Sequence, residues 1–269
     1  LVGYCVRTWE DYENPTALVA SCIREGTGAQ PVIAIDPATP FFVFDGLRNE
    51  MPEAQFLNGA CVTAACRMIK SKNEIALIQF AMHLTLKVQR AAARILKPGI
   101  STLDVQDFLA KAHIKLGSDS PPPFRIVLFG QPTAYPHGVP YPQELKEGDM
   151  VLIDTGAPVD GYFSDITRSY VFGEPTSRQR EIWNLEQRAQ AAAFEAAQVG
   201  TPAEQVDRAA RRVIEDAGFG PGYKVPGLAH RTGHGIGLDV HEETYIVEGN
   251  QTPLAPGMCF SNEPMICIY

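Results

Sequence analysis

What the 269 residues lack narrows the field first. No apolar run approaches the ~20 residues that cross a bilayer. The longest candidates, FFVF and AQAAAFEAAQV, are short or interrupted by charge, so no membrane partner is expected. Positive charge is in deficit, with 23 Lys and Arg against 31 Asp and Glu. The resulting net charge of −8 repels phosphate backbones and anionic lipid, which argues against a nucleic-acid partner. No CxxC pair occurs among the six scattered cysteines, Cys5, Cys22, Cys61, Cys66, Cys259 and Cys267. The sequence as it stands shows no basic-then-apolar leader either, and together these predict a reduced, cytoplasmic protein rather than a disulfide scaffold. The chain opens at Leu1, without a Met, in apolar sequence that reads as mid-domain, so a fragment is expected. What is present is ordinary globular composition: 45% hydrophobic, 20% charged, 23 Gly and 21 Pro. At ~100–200 residues per domain, that is one large domain or two modest ones.

Residues 1–66 carry short apolar stretches (LVGYCV, PVIAI, FFVF) between Pro and Gly signals and read as part of a small α/β domain. From 67 to 97, Ile75, Ile78, Met82, Leu86 and Ile95 recur at helical spacing and stop at Pro98-Gly99, which predicts a long helix after a basic linker. A second helix is predicted from Thr102 to Leu116, then a Pro-rich loop at 121–123 and a strand around Ile126–Phe129. Residues 150–172 read as a β-hairpin, 177–197 and 202–217 as helices, and 224–269 as Gly-rich loop and strand.

The second half repeats the first. QRAAARILKPGISTLDVQDFLAKAHIKLG lies over QAAAFEAAQVGTPAEQVDRAARRVIEDAG, matching Gly99 to Gly200, Val105 to Val206 and Gly117 to Gly218. Further on, LKEGDMVLID lies over LAPGMCFSNE, matching Leu145 to Leu254, Gly148 to Gly257 and Asp154 to Glu263, while His137-Gly138 pairs loosely with His234-Gly235. Chance likeness among apolar and Gly positions is the alternative. Two copies imply a pseudo-two-fold axis with one carboxylate from each copy beside it.

Asp154 and Asp165 flank the turn Pro158-Val159-Asp160-Gly161 at equal distance. A hairpin closed there places them opposite each other on one face, with Cβ atoms ~4.5–5.5 Å apart. Two facing aspartates need a shared proton or a bridging cation, unless they merely cap the sheet edge. Glu263, in the predicted strand CFSNEP, and His234, in the loop RTGHGIG where glycines let backbone approach an ion, extend the set. Three carboxylates and an imidazole suit Mn²⁺, Co²⁺, Fe²⁺ or Zn²⁺, and a set this size can hold two ions with a water between them, which is hydrolase chemistry. Symmetry predicts a partner for Asp165 on the strand after Glu263. His137 in PHGVP, His230 in AHRTG and His241 in LDVHEE supply groups able to donate to a carbonyl oxygen or shuttle a proton. Cys259 reads as apolar filler, and Asp239, Glu242 and the charges of 177–217 as solvated.

With HGVP, VLIDTG, GYFSDITRSYVFG, HRTGHGIGLDVHE, SNEP and the linker RMIKSKNEIALI together, residues 67–269 resemble the Xaa-Pro peptidases, the proline dipeptidases (prolidases) and aminopeptidase P. The resemblance implies a pita-bread fold: helices packed on a curved, mostly antiparallel sheet in two pseudo-symmetric copies. The catalytic domain would span 67–269, truncated at its carboxyl end, preceded by a partial creatinase-like domain over 1–66. It implies that Asp154, Asp165, His234 and Glu263 are four of five ligands of a dinuclear centre, most readily Mn²⁺, with Co²⁺ or Zn²⁺ as substitutes. The fifth, a Glu on the next strand, is not in this sequence. Glu263 would also be the general base, and His137, His230 and His241 would contact substrate or the tetrahedral intermediate. The expected substrate is a small peptide with proline second, and the expected assembly a homodimer. Aminopeptidase P activity on longer peptides, a non-catalytic peptide-binding module, and metal-independent creatinase-like hydrolysis are the competing readings.

Overall fold

The computed structural model describes residues 6–28 and 30–269, so of the LVGYCV stretch only Val6 is described and Cys5 lies outside. The chain divides between Cys66 and Arg67 into two compact units.

In the first unit, α1 (Pro15–Gly26) starts at Asn14, whose side chain accepts from the Thr16 amide. Strands β1 (Val32–Ile35) and β2 (Gln55–Asn58) pair in parallel, an arrangement that needs a crossover, which α2 (Phe41–Glu50) supplies. FFVF therefore opens a helix, while PVIAI supplies β1. Helix α3 (Ala60–Met68) takes up part of the expected linker.

In the second unit, α4 (Lys72–Ile95) begins at a capping box made by Ser71 and Glu74, and α5 (Thr102–Leu116) at one made by Ser101 and Asp104. The buried face of α4 includes Ile78, Ala81, Leu84, Thr85, Val88 and Ala92. The expected stripe is thus rotated: Ile78 is buried, Ile75 faces outward, and Met82, Leu86 and Ile95 are half-buried. That sheet is antiparallel, in the order β3 (Phe124–Phe129), β4 (Met150–Gly156), β7 (Ile166–Val171), with the short pair β5 (Pro158–Val159) and β6 (Tyr162–Phe163) at the hairpin tip. Val88, Val105, Leu109, Phe129, Val151 and Ile153 form the core between α4, α5 and the sheet.

Helices α6 (Ser177–Ala196) and α7 (Ala203–Asp216) begin the second copy, followed by β8 (Gly233–Gly235) and β9 (Glu242–Ile246). Its core gathers Ala189, Val206, Ile214, Leu228, Ile246 and Leu254. The repeat is visible in matched backbone bonds. Gly99 N donates to Leu145 O at 2.8 Å and Gly200 N to Leu254 O at 2.7 Å; Leu145 N donates to Ile100 O at 3.0 Å and Leu254 N to Thr201 O at 2.9 Å. Both copies turn the chain at left-handed glycines, φ +79° at Gly99 and +88° at Gly200. These coincidences of position, conformation and partner exclude chance likeness.

The hairpin differs from expectation in register. Asp160 (φ 47°) and Gly161 (φ 80°) both lie at positive φ between paired Val159 and Tyr162, the two-residue turn that Asp-Gly favours. The turn is centred one residue later than predicted, so Asp154 pairs with Thr167 and not with Asp165. Gly156 makes the closure feasible, because a Cβ there would lie 1.7 Å from the Ser164 carbonyl oxygen. Gly156→Ala is expected to destabilise the protein by more than about 3 kcal/mol, above the usual cost of overpacking because the obstacle is backbone. A urea-denaturation midpoint within error of wild type would contradict this close approach.

Candidate metal centre

Each half of the second unit brings carboxylates to the same place. Asp154 sits in β4 with its Oδ1 buried; Asp165 follows β6, just before β7. The two-residue register offset makes them diagonal rather than direct cross-strand neighbours, still on one face and close enough to share a hydrogen bond.

His234 lies inside β8, not in a loop, and its glycine neighbours serve the backbone rather than an ion. A Cβ at Gly233 would lie 1.9 Å from Ser261 O, and one at Gly235 2.4 Å from Glu243 O. CFSNEP is not a regular strand. It is an extended segment held against β8 by Ser261 N to His234 O at 2.8 Å and Glu263 N to Thr232 O at 2.9 Å. Those bonds set Glu263 beside the imidazole: His234 Nε2 is 2.9 Å from Glu263 Oε1 and 3.4 Å from Asp165 Oδ2. One ligand atom from each of Asp165, His234 and Glu263 lies within 4.8 Å of the others.

Protonation follows from these neighbours. His234 Nδ1 lies 3.0 Å from the Gly235 carbonyl, which can only accept, so Nδ1 carries a proton and Nε2 faces the carboxylates. Burial lowers the His234 pKa, but hydrogen bonds to Asp165 and Glu263 and the Glu263 charge outweigh it and raise the pKa to about 10. Burial pushes Glu263 up, yet His234 and a 2.8 Å bond from Ser261 Oγ bring it below the usual carboxylate range. Asp154 moves the other way, to about 8, through burial first and then the charges of Asp165 and Glu263. Its buried Oδ1 has no hydrogen-bond partner. An orphaned carboxylate oxygen beside three converging donors fits a hard divalent cation.

The three further histidines fall around this group. The His241 ring packs against that of His234, centroids 3.9 Å apart, and its Nδ1 accepts from Arg231 Nη2 at 3.2 Å, which leaves the proton on Nε2. Burial, then the charges of His234 and Arg231, lower its pKa. His230 donates from Nδ1 to its neighbour Arg231 O at 2.6 Å, and burial holds it neutral. His137 is exposed on its loop, in the neighbourhood of His230.

Several charges read as solvated are buried. Glu242 forms a 2.9 Å ion pair with Lys70, both side chains under 5% exposed, and a second with Arg67, which also pairs with the exposed Asp239. This clamp fixes the start of β9, next to His241. In α7, Asp207 is fully buried and accepts from Arg211, from the Thr232 amide at 3.0 Å and from Thr232 Oγ1 at 2.7 Å. Arg211 also donates to Leu228 O and His230 O. The pair thereby holds the segment that delivers His234. An (i, i+4) Asp–Arg spacing in a helix gave no sign of which face it occupied, whereas the residues it grips are remote in sequence. Cys259 is half-buried, as a filler would be.

Glu186 in α6 is half-buried, with its Oε2 buried and without a partner, and desolvation raises its pKa to about 8. The folded state therefore keeps a proton that the unfolded chain has lost above pH ~4.5. Stability falls as pH rises between those two values, by about 1.4 kcal/mol per unit. Glu186→Gln is expected to remove that slope, so its stability relative to wild type grows from pH 5 to pH 8. Parallel pH profiles in chemical denaturation would contradict the assignment.

Residues 76–269 match the sequence profile of metallopeptidase family M24. The chain is 39% identical over 266 residues to a probable dipeptidase PepE of Mycobacterium tuberculosis, covering 98% of this chain and 68% of that protein. It is 35% identical to the Xaa-Pro dipeptidase of Lactobacillus helveticus, covering 96% and 70%. Among solved structures it superposes on a prolidase from Thermococcus sibiricus with a TM-score of 0.90 at 33% identity, covering 99% of this chain and 72% of that one. A TM-score of 0.83 at 25% identity relates it to the X-Pro aminopeptidase of Thermotoga maritima, covering 96% and 72%. The fold is the pita-bread fold of these enzymes.

Proposed function

Because the chain belongs to metallopeptidase family M24, we propose that it hydrolyses the peptide bond before proline in Xaa-Pro dipeptides, using two divalent ions held by Asp154, Asp165, His234 and Glu263. The observation that carries the site is the convergence of Asp165, His234 and Glu263 beside the unpartnered Asp154 oxygen. Mn²⁺ suits this oxygen-and-imidazole set, with Co²⁺ and Zn²⁺ as competitors. When bound, such ions supply a polarised scissile carbonyl and a water acidic enough to attack near neutral pH.

The protein's own groups do the rest. Glu263, ionised through its bonds from Ser261 and His234, takes a proton from the attacking water and returns it to the departing proline nitrogen. His241, with its proton on Nε2, donates to the carbonyl oxygen as negative charge develops there. His230, neutral with Nδ1 tied to Arg231 O, presents Nε2 as an acceptor to the substrate, and His137 lies at the rim. The substrate is a small peptide, and among the described residues no helix is long and apolar enough to cross a membrane. A cytoplasmic location accords with five described cysteines that are all free thiols, and a homodimer is the assembly the family resemblance implies.

Similarity to an X-Pro aminopeptidase favours one second reading, action on longer peptides. Rates on Ala-Pro and Ala-Pro-Ala with Mn²⁺ separate the two. Faster turnover of the dipeptide is expected, and a strong preference for the tripeptide would replace this reading with the second.

A further inference from the structure

Behind Asp165 lies a buried line of hydrogen bonds that the chemistry above does not use. His113 of α5, fully buried, has Nδ1 2.8 Å from Leu109 O and Nε2 3.1 Å from Thr85 Oγ1 of α4. Thr85 Oγ1 lies 2.8 Å from Ser164 Oγ, which in turn accepts from Ala157 N at 3.0 Å and lies 3.1 Å from Ala157 O.

A carbonyl only accepts, so His113 Nδ1 carries the proton that goes to Leu109. Burial lowers the His113 pKa, so the ring is neutral and Nε2 is an acceptor. Thr85 must then donate to His113, and Ser164 must donate to Thr85. If Ser164 gave its single proton to Ala157 O instead, Thr85 would have to donate to Ser164, and two lone pairs would face each other between Thr85 and His113. Only one arrangement satisfies every group: Ala157 N–H to Ser164, Ser164 to Thr85, Thr85 to His113, His113 to Leu109. This line ties α5, α4 and the end of β4 to the residue that precedes Asp165. In the second copy, 101 residues on from Thr85 stands Glu186.

We propose that Thr85, oriented by His113, is a positioning residue for the metal centre: it fixes Ser164, and so the backbone from which Asp165 reaches His234 and Glu263. The inference rests on the reading of Asp165 as a metal ligand. It predicts that Thr85→Val, which keeps shape and loses the hydroxyl, weakens Mn²⁺ binding by up to about 10-fold, the low end of the effect of removing a direct partner of a metal ligand, because Thr85 acts through Ser164. Thr85→Ser restores affinity to near wild type.

The test is calorimetric titration of the full chain with Mn²⁺, alongside the Co²⁺ absorption spectrum and circular dichroism for each variant. Weaker Mn²⁺ binding and an altered Co²⁺ spectrum in a folded Thr85→Val, with rescue by serine, support the proposal. Unchanged affinity and spectrum in that variant overturn it while leaving the metal centre intact. A wild-type chain that binds neither ion overturns the metal centre itself and this inference with it. Should Thr85→Val not fold, Ser164→Ala removes the adjacent hydroxyl and faces the same expectation.

Discussion

Replacing Glu263 by glutamine is expected to lower kcat on an Xaa-Pro dipeptide by roughly 10³- to 10⁴-fold, the upper part of the range for losing a general base. The amide keeps the size of the side chain and can still accept from Ser261, so the segment from Ser261 to Glu263 stays against β8. What disappears is the charge that helps hold the divalent ions, draws His234 toward the site and takes the proton from water. Substrate contacts through His230 and His241 remain, so KM should move far less than kcat. Steady-state kinetics in Mn²⁺ give both constants. A variant with more than a tenth of wild-type kcat would remove Glu263 from the role of base.

The largest effect on stability is expected at Asp207, far in sequence from any group that touches substrate. Asp207→Ala would strand the Arg211 guanidinium in the interior and leave the Thr232 amide without its acceptor. Breaking a buried pair by deleting one partner costs about 3–5 kcal/mol, because the remaining charge is uncompensated. The double change Asp207→Ala with Arg211→Ala should therefore cost less than the sum of the single ones. Urea unfolding of the four proteins closes this cycle. Strict additivity would show that the two side chains do not act as a pair.

The sequence made some of this legible for physical reasons. Helix bounds near Thr102 and Leu116 were readable because Ser101 caps one end and Gly117, at φ +101°, stops the other. The repeat was readable because glycines at left-handed positions tolerate no substitute, so Gly99 and Gly200 or Gly148 and Gly257 persist in both copies. The hairpin register was not, since Asp-Gly can close a turn centred on either of two adjacent bonds. The Gly156–Ser164 approach that settles it depends on backbone proximity alone. Nor could charge pattern distinguish a solvated helix face from the buried Asp207–Arg211 pair, or from Glu242 with Lys70. Partners 25 to 172 residues away decide those cases. The position of Thr85 on the inner face of α4 was hidden for the same reason: a hydroxyl amid an apolar stripe shows its purpose only when Ser164 and His113 come beside it.

On the proposed reading, carboxylates from both copies and one imidazole form a divalent-metal centre. The most direct test loads the chain with Mn²⁺, removes the excess and counts bound ions by elemental analysis, with Asp165→Asn as the companion. About two ions per wild-type chain, falling sharply in the variant, are expected. No bound Mn²⁺, Co²⁺ or Zn²⁺ at any loading, or equal retention by wild type and variant, would contradict it.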